Sequence, residues 1–176
     1  MEFRYIDAHA HIDDKWFDKD REEIIRDCQK EGILIINCGI NLLSNKKTLE
    51  LSAKHTNIKA CMGLDPQDAL KLSNLDYSHI LKTIEQSKDK IVGIGEVGID
   101  FYWIKEHNKR ECEVGLFEQI IQLANKLNLP LNVHSRRAEE LVVDLLIEKC
   151  KVPVLLHSFG GSIEIAKKAV KQGFFI

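Results

Sequence analysis

The chain has 176 residues, 44% of them hydrophobic and 30% charged, so it can bury one sizeable core, and we expect a single domain over residues 1–176. A formal net charge of −2 excludes a broad basic surface that would coat nucleic acid, so any phosphate recognition has to be local. Five cysteines without a CxxC pair, and no apolar stretch of membrane-spanning length, predict a cytoplasmic protein that uses neither disulfides nor a membrane.

Apolar runs of strand length alternate with segments of helical spacing along the chain. Ile24, Ile25 and Cys28 form the apolar stripe of one predicted helix, and Gly32 stands where its C-cap is expected. Pro130 opens a strand directly after a later helix. The pattern predicts six βα units and the start of a seventh strand, with strands at residues 4–8, 33–38, 58–63, 91–96, 131–134, 152–157 and 173–176.

Apolar strands that are separated by helices predict a parallel sheet with right-handed crossovers. Such a sheet can remain open and doubly wound, or it can close into a barrel. An open sheet usually has a Gly-rich phosphate turn after its first strand, but His9 and His11 occupy that place here. We therefore predict an α/β fold of the (β/α)8 TIM-barrel type.

Four histidines and one glutamate fall where predicted strands end, which is where a β/α barrel builds its active site. A single histidine there is usually structural, but five ligand-type residues placed alike indicate a metal centre. Two imidazoles two residues apart on a strand face the same side and can hold one divalent ion, and a carboxylate can bridge to a second. Asp7 is expected to orient an imidazole. The candidate ligands are His9, His11, Glu96, His134 and His157.

Four motifs, in order along the chain, resemble the TatD family of metal-dependent deoxyribonucleases, within the amidohydrolase-like barrels. They are Ile-Asp-Ala-His-Ala-His-Ile-Asp at residues 6–13, Gly-Glu-Val-Gly-Ile-Asp-Phe-Tyr at 95–102, Leu-Asn-Val-His-Ser-Arg at 131–136 and Leu-His-Ser-Phe-Gly-Gly at 156–161. The resemblance implies a (β/α)8 barrel, two divalent metal ions and hydrolysis of phosphodiester bonds in DNA.

The same resemblance assigns roles to the candidate ligands. His9 and His11 would hold one ion, His134 and His157 the other, and Glu96 would bridge them. Glu96, His134 and His157 are therefore also the expected catalytic residues. Imidazole-rich ligation favours zinc, whereas the carboxylates and a phosphate substrate would accept magnesium or manganese, so the metal stays open.

Substrate contacts are expected just beyond the ligand strands. Arg136, with Ser135 beside it, resembles the family's contact to the substrate phosphate, although a solvated residue at a helix start is the structural alternative. Asp100 is expected to support the centre near Glu96. The segment 101–110 places aromatic residues next to cations, which suits either stacking of an unpaired base or packing beneath the loop. The resemblance leads us to expect single-stranded DNA or DNA ends as the preferred substrate.

Three features depart from the family pattern. Asp65 stands where the family has a histidine that lines the active site, and its charge would repel a polyanion unless it binds metal or pairs with a cation. Glu113 stands where the family has Gln, and we expect it on a solvated helix face. The chain also ends within the predicted seventh strand, whereas barrels of this type run to about 250 residues.

The third departure affects the expected chemistry. The family's last metal ligand, an aspartate at the end of the eighth strand, has no counterpart here. We therefore expect a domain that is incomplete at its C-terminus, either a piece of a longer enzyme or a product that survives by self-association through open strand edges.

Two alternatives to the nuclease stay open. A related barrel could use the same centre to hydrolyse a C–N or ester bond, which a small closed apolar pocket would favour over a basic rim. The other alternative is an inactive remnant or subunit, which would keep the metal ligands but have no catalytic activity.

Overall fold

The computed structural model describes residues 3–176, in which strands and helices alternate. The strands are β1 (Tyr5–Ala10), β2 (Ile33–Cys38), β3 (Ile58–Met62), β4 (Gly93–Asp100), β5 (Leu131–Arg136) and β6 (Val154–Leu156). The α-helices are α1 (Arg21–Lys30), α2 (Leu42–Lys54), α3 (Pro66–Ala69), α4 (Asn74–Gln86), α5 (His107–Leu127), α6 (Glu139–Lys149) and α7 (Ile163–Lys171), with 3-10 turns at Lys15–Phe17 and Lys88–Lys90.

The six strands of residues 3–176 form one parallel sheet in the order β1-β2-β3-β4-β5-β6. This sheet is curled, because a side chain of β5 reaches β1 across three intervening strands: the Asn132 amide donates to the carbonyl oxygen of Ala8 over 2.7 Å. The predicted α/β class and parallel sheet are therefore confirmed. No helix within residues 3–176 is both long and apolar enough to cross a membrane.

The helices cover the outer face of the sheet. The main core packs strand residues such as Ile99 and Val133 against Phe117 and Ile121 of α5 and Leu146 of α6, all of them almost fully buried. Burying each such side chain stabilises the fold by about 1.5–3 kcal/mol. A second, smaller cluster of Ile12, Ile25, Ile35 and Ile58 fastens α1 to the first strands. The residues of the centre border a separate cavity at the carboxyl edge of the sheet.

The strand bounds differ from the predicted ones at the edge that carries the ligands. β4 runs on to Asp100, with a register irregularity against β5 between Ile94 and Val97, so Glu96 lies inside the strand and not at its end. Gly98 has a φ of 148°, and a Cβ there would collide with the His134 carbonyl oxygen. Only glycine lets the two strands approach so closely. This close approach sets Glu96 beside His134.

The seventh predicted strand, at residues 173–176, is represented by a single parallel bridge. Phe175 pairs with Leu155, and its backbone N–H and carbonyl group bond to Val154 and Leu156 over 2.9 Å each. The segment therefore lies alongside β6 in the position that a next strand would take.

Candidate metal centre

The structure brings all five predicted ligands together at the carboxyl edge of the inner face. They divide into two groups, His9, His11 and Glu96, and Glu96, His134 and His157, whose ligand atoms lie within 4.8 Å of one another in each group. Glu96 belongs to both groups, because it enters from β4 between the histidines at the end of β1 and those in β5 and directly after β6.

The two oxygens of Glu96 face different pairs of imidazoles. Oε2 lies 3.4 Å from His9 Nε2 and 3.0 Å from His11 Nε2, whereas Oε1 lies 3.0 Å from His134 Nδ1 and 3.4 Å from His157 Nε2. Burial alone would raise the pKa of Glu96, but hydrogen bonds with His11, His134 and His9 hold that pKa far below its usual range. The carboxylate is therefore ionised and placed as a bridging ligand would be.

Hydrogen bonds behind the first pair fix the tautomers of both rings. His9 Nδ1 lies 2.9 Å from the amide oxygen of Asn132, and His11 Nδ1 lies 2.7 Å from the Cys38 carbonyl oxygen. These oxygens only accept hydrogen bonds, so each Nδ1 carries a proton, and each Nε2 is the nitrogen that faces Glu96 and would give up its proton to bind a cation. The two Nε2 atoms are 3.0 Å apart and face the same oxygen of Glu96. Two imidazole nitrogens and a carboxylate that converge on one point match the donor set of a divalent cation.

The second pair has a similar arrangement. His134 Nε2 lies 3.1 Å from Asp100 Oδ2, so its proton is held on that side and Nδ1 faces Glu96. Burial lowers the pKa of His134, but Glu96 and Asp100 raise it above its ordinary value. Burial and then the charge of His9 lower the pKa of His157 to about 4. His157 is therefore neutral at neutral pH, which is the form in which imidazole binds metal.

A buried polar network holds the loop after β1. The Asp13 carboxylate accepts from the Asn37 amide over 2.8 Å and from the Ser44 hydroxyl over 2.6 Å, and the Asn37 oxygen accepts from the backbone N–H of Ile12. Asn37 is fully buried. The network ties the residues next to His11 to β2 and α2, so the second imidazole of the first pair does not depend on a free loop.

The structure places two other predicted site residues away from the ligand groups. The Asp7 carboxylate accepts from the backbone N–H of His9 over 3.2 Å, while Asn132 takes the partner role at the ring. Asp65 caps α3 by accepting from the N–H groups of Gln67 and Asp68. Burial and then the charge of Glu96 raise the pKa of Asp65, so the charge of the centre acts on this carboxyl group.

The substrate side is an open cavity of about 490 Å³ that borders the histidines and Glu96. Its rim includes Ser135, Arg136, Glu139, Ser158 and Gly160. The Arg136 side chain is exposed and lies against the Tyr102 ring, 4.0 Å from the ring centroid. Ser135 is almost fully buried, and its hydroxyl has no hydrogen-bond partner within residues 3–176.

Glu113 corrects one expectation. It was placed on a solvated face of α5, but only 1% of the residue is exposed. The first turns of α5 pack over the end of β4, where Glu113 Oε1 accepts from the backbone N–H of Asp100 over 2.7 Å. Burial raises the pKa of Glu113 to about 7. The residue therefore supports the strand end that carries the partner of His134.

Sequence reasoning assigned no role to Asn132, Asn37 or Asp13. The signal that could have found the two asparagines is a polar residue inside an otherwise apolar run, Leu-Asn-Val in β5 and Ile-Ile-Asn-Cys in β2. A buried polar side chain needs a partner, and here the partners are residues of the centre or of the loop next to it.

Comparisons with known proteins agree with this geometry. The model of the family described as TatD related DNase matches residues 6–176. An uncharacterized metal-dependent hydrolase of Methanocaldococcus jannaschii, MJ1582, is 36% identical over 174 residues, which are 98% of this chain and 66% of that protein. The human deoxyribonuclease TATDN3 is 33% identical over 181 residues, covering 97% of this chain and 66% of that protein. The chain thus spans about two thirds of the length of these curated relatives.

Solved structures show the same arrangement. The crystal structure of the TatD homologue YjjV of Escherichia coli superposes with a TM-score of 0.86 at 26% identity, over 99% of this chain and 67% of that one. An uncharacterized amidohydrolase of Saccharomyces cerevisiae gives a TM-score of 0.80 at 14% identity, over 96% of this chain and 65% of that one, which shows the fold alone. These likenesses confirm the TIM-type barrel arrangement of the six strands in residues 3–176.

Proposed function

This chain belongs to the TatD family of metal-dependent hydrolases, and we propose on that premise that it hydrolyses phosphodiester bonds of DNA at a centre of two divalent ions. The observation that carries the proposal is the Glu96 carboxylate, each oxygen of which faces its own pair of imidazoles. The human relative is named a deoxyribonuclease, which supports DNA as the substrate.

His9, His11 and Glu96 would hold the proposed first ion, and Glu96, His134 and His157 would hold the second. Divalent ions in such a centre lower the pKa of water and offset the charge of phosphoryl oxygens. Zinc suits the imidazoles, and magnesium or manganese would suit the carboxylate and the phosphate. The geometry favours a pair of ions over one, because the ligands form two groups that share only Glu96.

The protein's own residues orient the centre and the substrate. Asp100 keeps the proton of His134 on Nε2, and Asn132 keeps that of His9 on Nδ1, so the other nitrogen of each ring stays free to bind. Arg136 contacts a phosphate that enters the cavity, since its guanidinium lies on the rim and can donate two parallel hydrogen bonds.

The shape and lining of the cavity favour a phosphodiester over a C–N or ester bond in a small substrate. An amidohydrolase pocket would be small, closed and apolar, whereas this cavity is open and lined with polar side chains, Arg136 among them. Glu139 also lies on the rim and would repel phosphate, so the productive strand passes on the Arg136 side.

The test is cleavage of end-labelled single-stranded and duplex DNA, after EDTA treatment and after zinc, magnesium or manganese is added back. We expect cleavage that needs metal and is lost in Glu96→Gln, with His107→Ala as the matched control because the His107 side chain is 88% exposed. Parallel assays with amide and ester substrates address the alternative chemistry. Hydrolysis of those substrates without any cleavage of DNA would refute the proposal.

A further inference from the structure

The turn that follows β4 is tightly fixed to the strands of the centre. Asp100 Oδ1 accepts from the backbone N–H groups of Tyr102 and Trp103, each over 2.9 Å, while Oδ2 faces His134. The N–H of Phe101 donates to the Arg136 carbonyl oxygen over 2.9 Å. The turn Phe101-Tyr102-Trp103, which we call the aromatic turn, is therefore held by the same carboxylate that orients a metal ligand.

The three rings of the aromatic turn have different surroundings. Phe101 packs against the core, with the Arg110 guanidinium 4.5 Å from its ring centroid. The Tyr102 ring contacts two cations, the guanidinium of Arg136 at 4.0 Å and Lys105 Nζ at 5.0 Å from its centroid. Phe101 thus supplies the packing that the loop needs, and the next ring positions the arginine of the cavity rim.

Trp103 has no comparable structural role. It is 56% exposed and meets Tyr102 edge-on, with ring centroids 4.8 Å apart and an interplanar angle of 86°. The Arg136 guanidinium lies 5.9 Å from the indole centroid. An exposed indole on a fixed turn, next to the cation that borders the metal cavity, loses little conformational freedom when a flat ligand stacks on it.

We infer that Trp103 is the stacking platform for an unpaired nucleobase next to the scissile phosphate. This inference rests on the proposed function: the phosphate occupies the cavity and contacts Arg136, and the adjoining base turns out onto the indole. A base can reach the platform only when it is unstacked, so the site selects single strands or frayed ends. Because every base has a π face, the platform selects unpaired structure and not sequence.

The test uses short oligothymidylate strands with phosphorothioate linkages, which resist hydrolysis, and matched strands in which every base is replaced by an abasic spacer. With divalent metal present, Trp103→Ala should weaken binding of the base-containing strand roughly tenfold, within the range of one stacked base, and leave the abasic strand unchanged. Thermal melting of the variant controls for its fold, and Trp103→Phe, which keeps an aromatic face, should recover most of the affinity.

A second readout uses the fact that the chain has two tryptophans, Trp16 and Trp103. The base-containing strand should quench the fluorescence of the Trp16→Phe variant, in which Trp103 is the only indole. It should leave the fluorescence of the Trp103→Phe variant almost unchanged. If Trp103→Ala weakened the binding of both strands equally, or if quenching were equal in both single-tryptophan variants, the stacking role of Trp103 would be refuted. The proposed nuclease activity would not be affected by that result. If neither strand bound the wild-type protein, the nuclease proposal itself would fail, and the platform with it.

Discussion

Replacing Asp100 by Asn should weaken one of the two proposed metal sites and spare the other. Both carboxylate oxygens of Asp100 accept hydrogen bonds, one from His134 and one from the backbone of the aromatic turn. An amide has a single acceptor oxygen, so one of these groups must face an N–H₂ donor. The turn presents two N–H donors and His134 only one, so the amide oxygen stays with the turn, its N–H₂ group faces His134, and the variant loses the tautomer of that ring.

The size of the effect follows from the role of the lost acceptor. Partners that orient a ligating histidine typically contribute a factor of about 10–100 to metal affinity, equivalent to about 1.4–2.7 kcal/mol. Only the group of Glu96, His134 and His157 contains the affected ring, because His9 and His11 have their own partners in Asn132 and Cys38. The two binding steps should therefore separate in the variant.

Calorimetric titration with zinc is the assay, and Asp27→Asn is the matched control, since that carboxylate pairs with Lys30 on the surface. We expect one step with wild-type affinity and one step weakened by the factor above. Unchanged affinity at both steps in a folded Asp100→Asn protein would refute the orienting role. Equal weakening of both steps would show that the substitution disturbs the whole centre.

The other variants probe the rim and the support of the centre. Arg136→Ala should raise KM for oligonucleotides several-fold with little change in Tm; a large fall in Tm with KM unchanged would make Arg136 structural. Asp65→His should increase oligonucleotide affinity by removing a half-buried negative charge near Glu96, whereas loss of bound metal would identify Asp65 as a ligand. Burial raises the pKa of Glu113 to about 7, so the native state binds the proton of this carboxyl group more tightly than the unfolded chain does. The native state therefore loses stability as the pH rises from about 4.5 to 7. Glu113→Gln should remove that loss, and its Tm relative to wild type should rise from pH 5 to pH 8; a constant difference would contradict the buried titration.

The sequence was sufficient to predict the barrel-type fold and the five residues that meet at its edge. Ligand-type side chains recur at the ends of apolar runs, and parallel strands bring their carboxyl ends to one edge. The structure shows that Glu96 and His134 lie within their strands, because β4 and β5 are longer than their apolar runs and β4 carries an irregularity near Glu96. The edge was predictable, and the exact strand position of each ligand was not.

The residues that support the centre could not be predicted from the periodicity of the sequence, because their roles depend on contacts between elements that are distant along the chain. Asn132 reaches His9 and Ala8 only because the sheet curls, so its role depends on the distance between strands that are not neighbours. Glu113 lies on a helix whose charged first turns look solvated in sequence, and burial there is decided by how α5 packs over β4. Likewise, packing of Phe101 and Tyr102 beneath the loop was one of two alternatives from the sequence, and the structure packs Phe101 against the core but leaves Tyr102 and Trp103 exposed.

Metal content is the most direct test of the shared role of Glu96. Elemental analysis of protein reloaded with zinc should give two ions per wild-type chain and no more than one in Glu96→Gln, while Glu148→Gln, whose side chain is 70% exposed, should match wild type. Equal metal content in wild type and Glu96→Gln, or a wild-type chain that retains no ion, would contradict a centre bridged by this carboxylate.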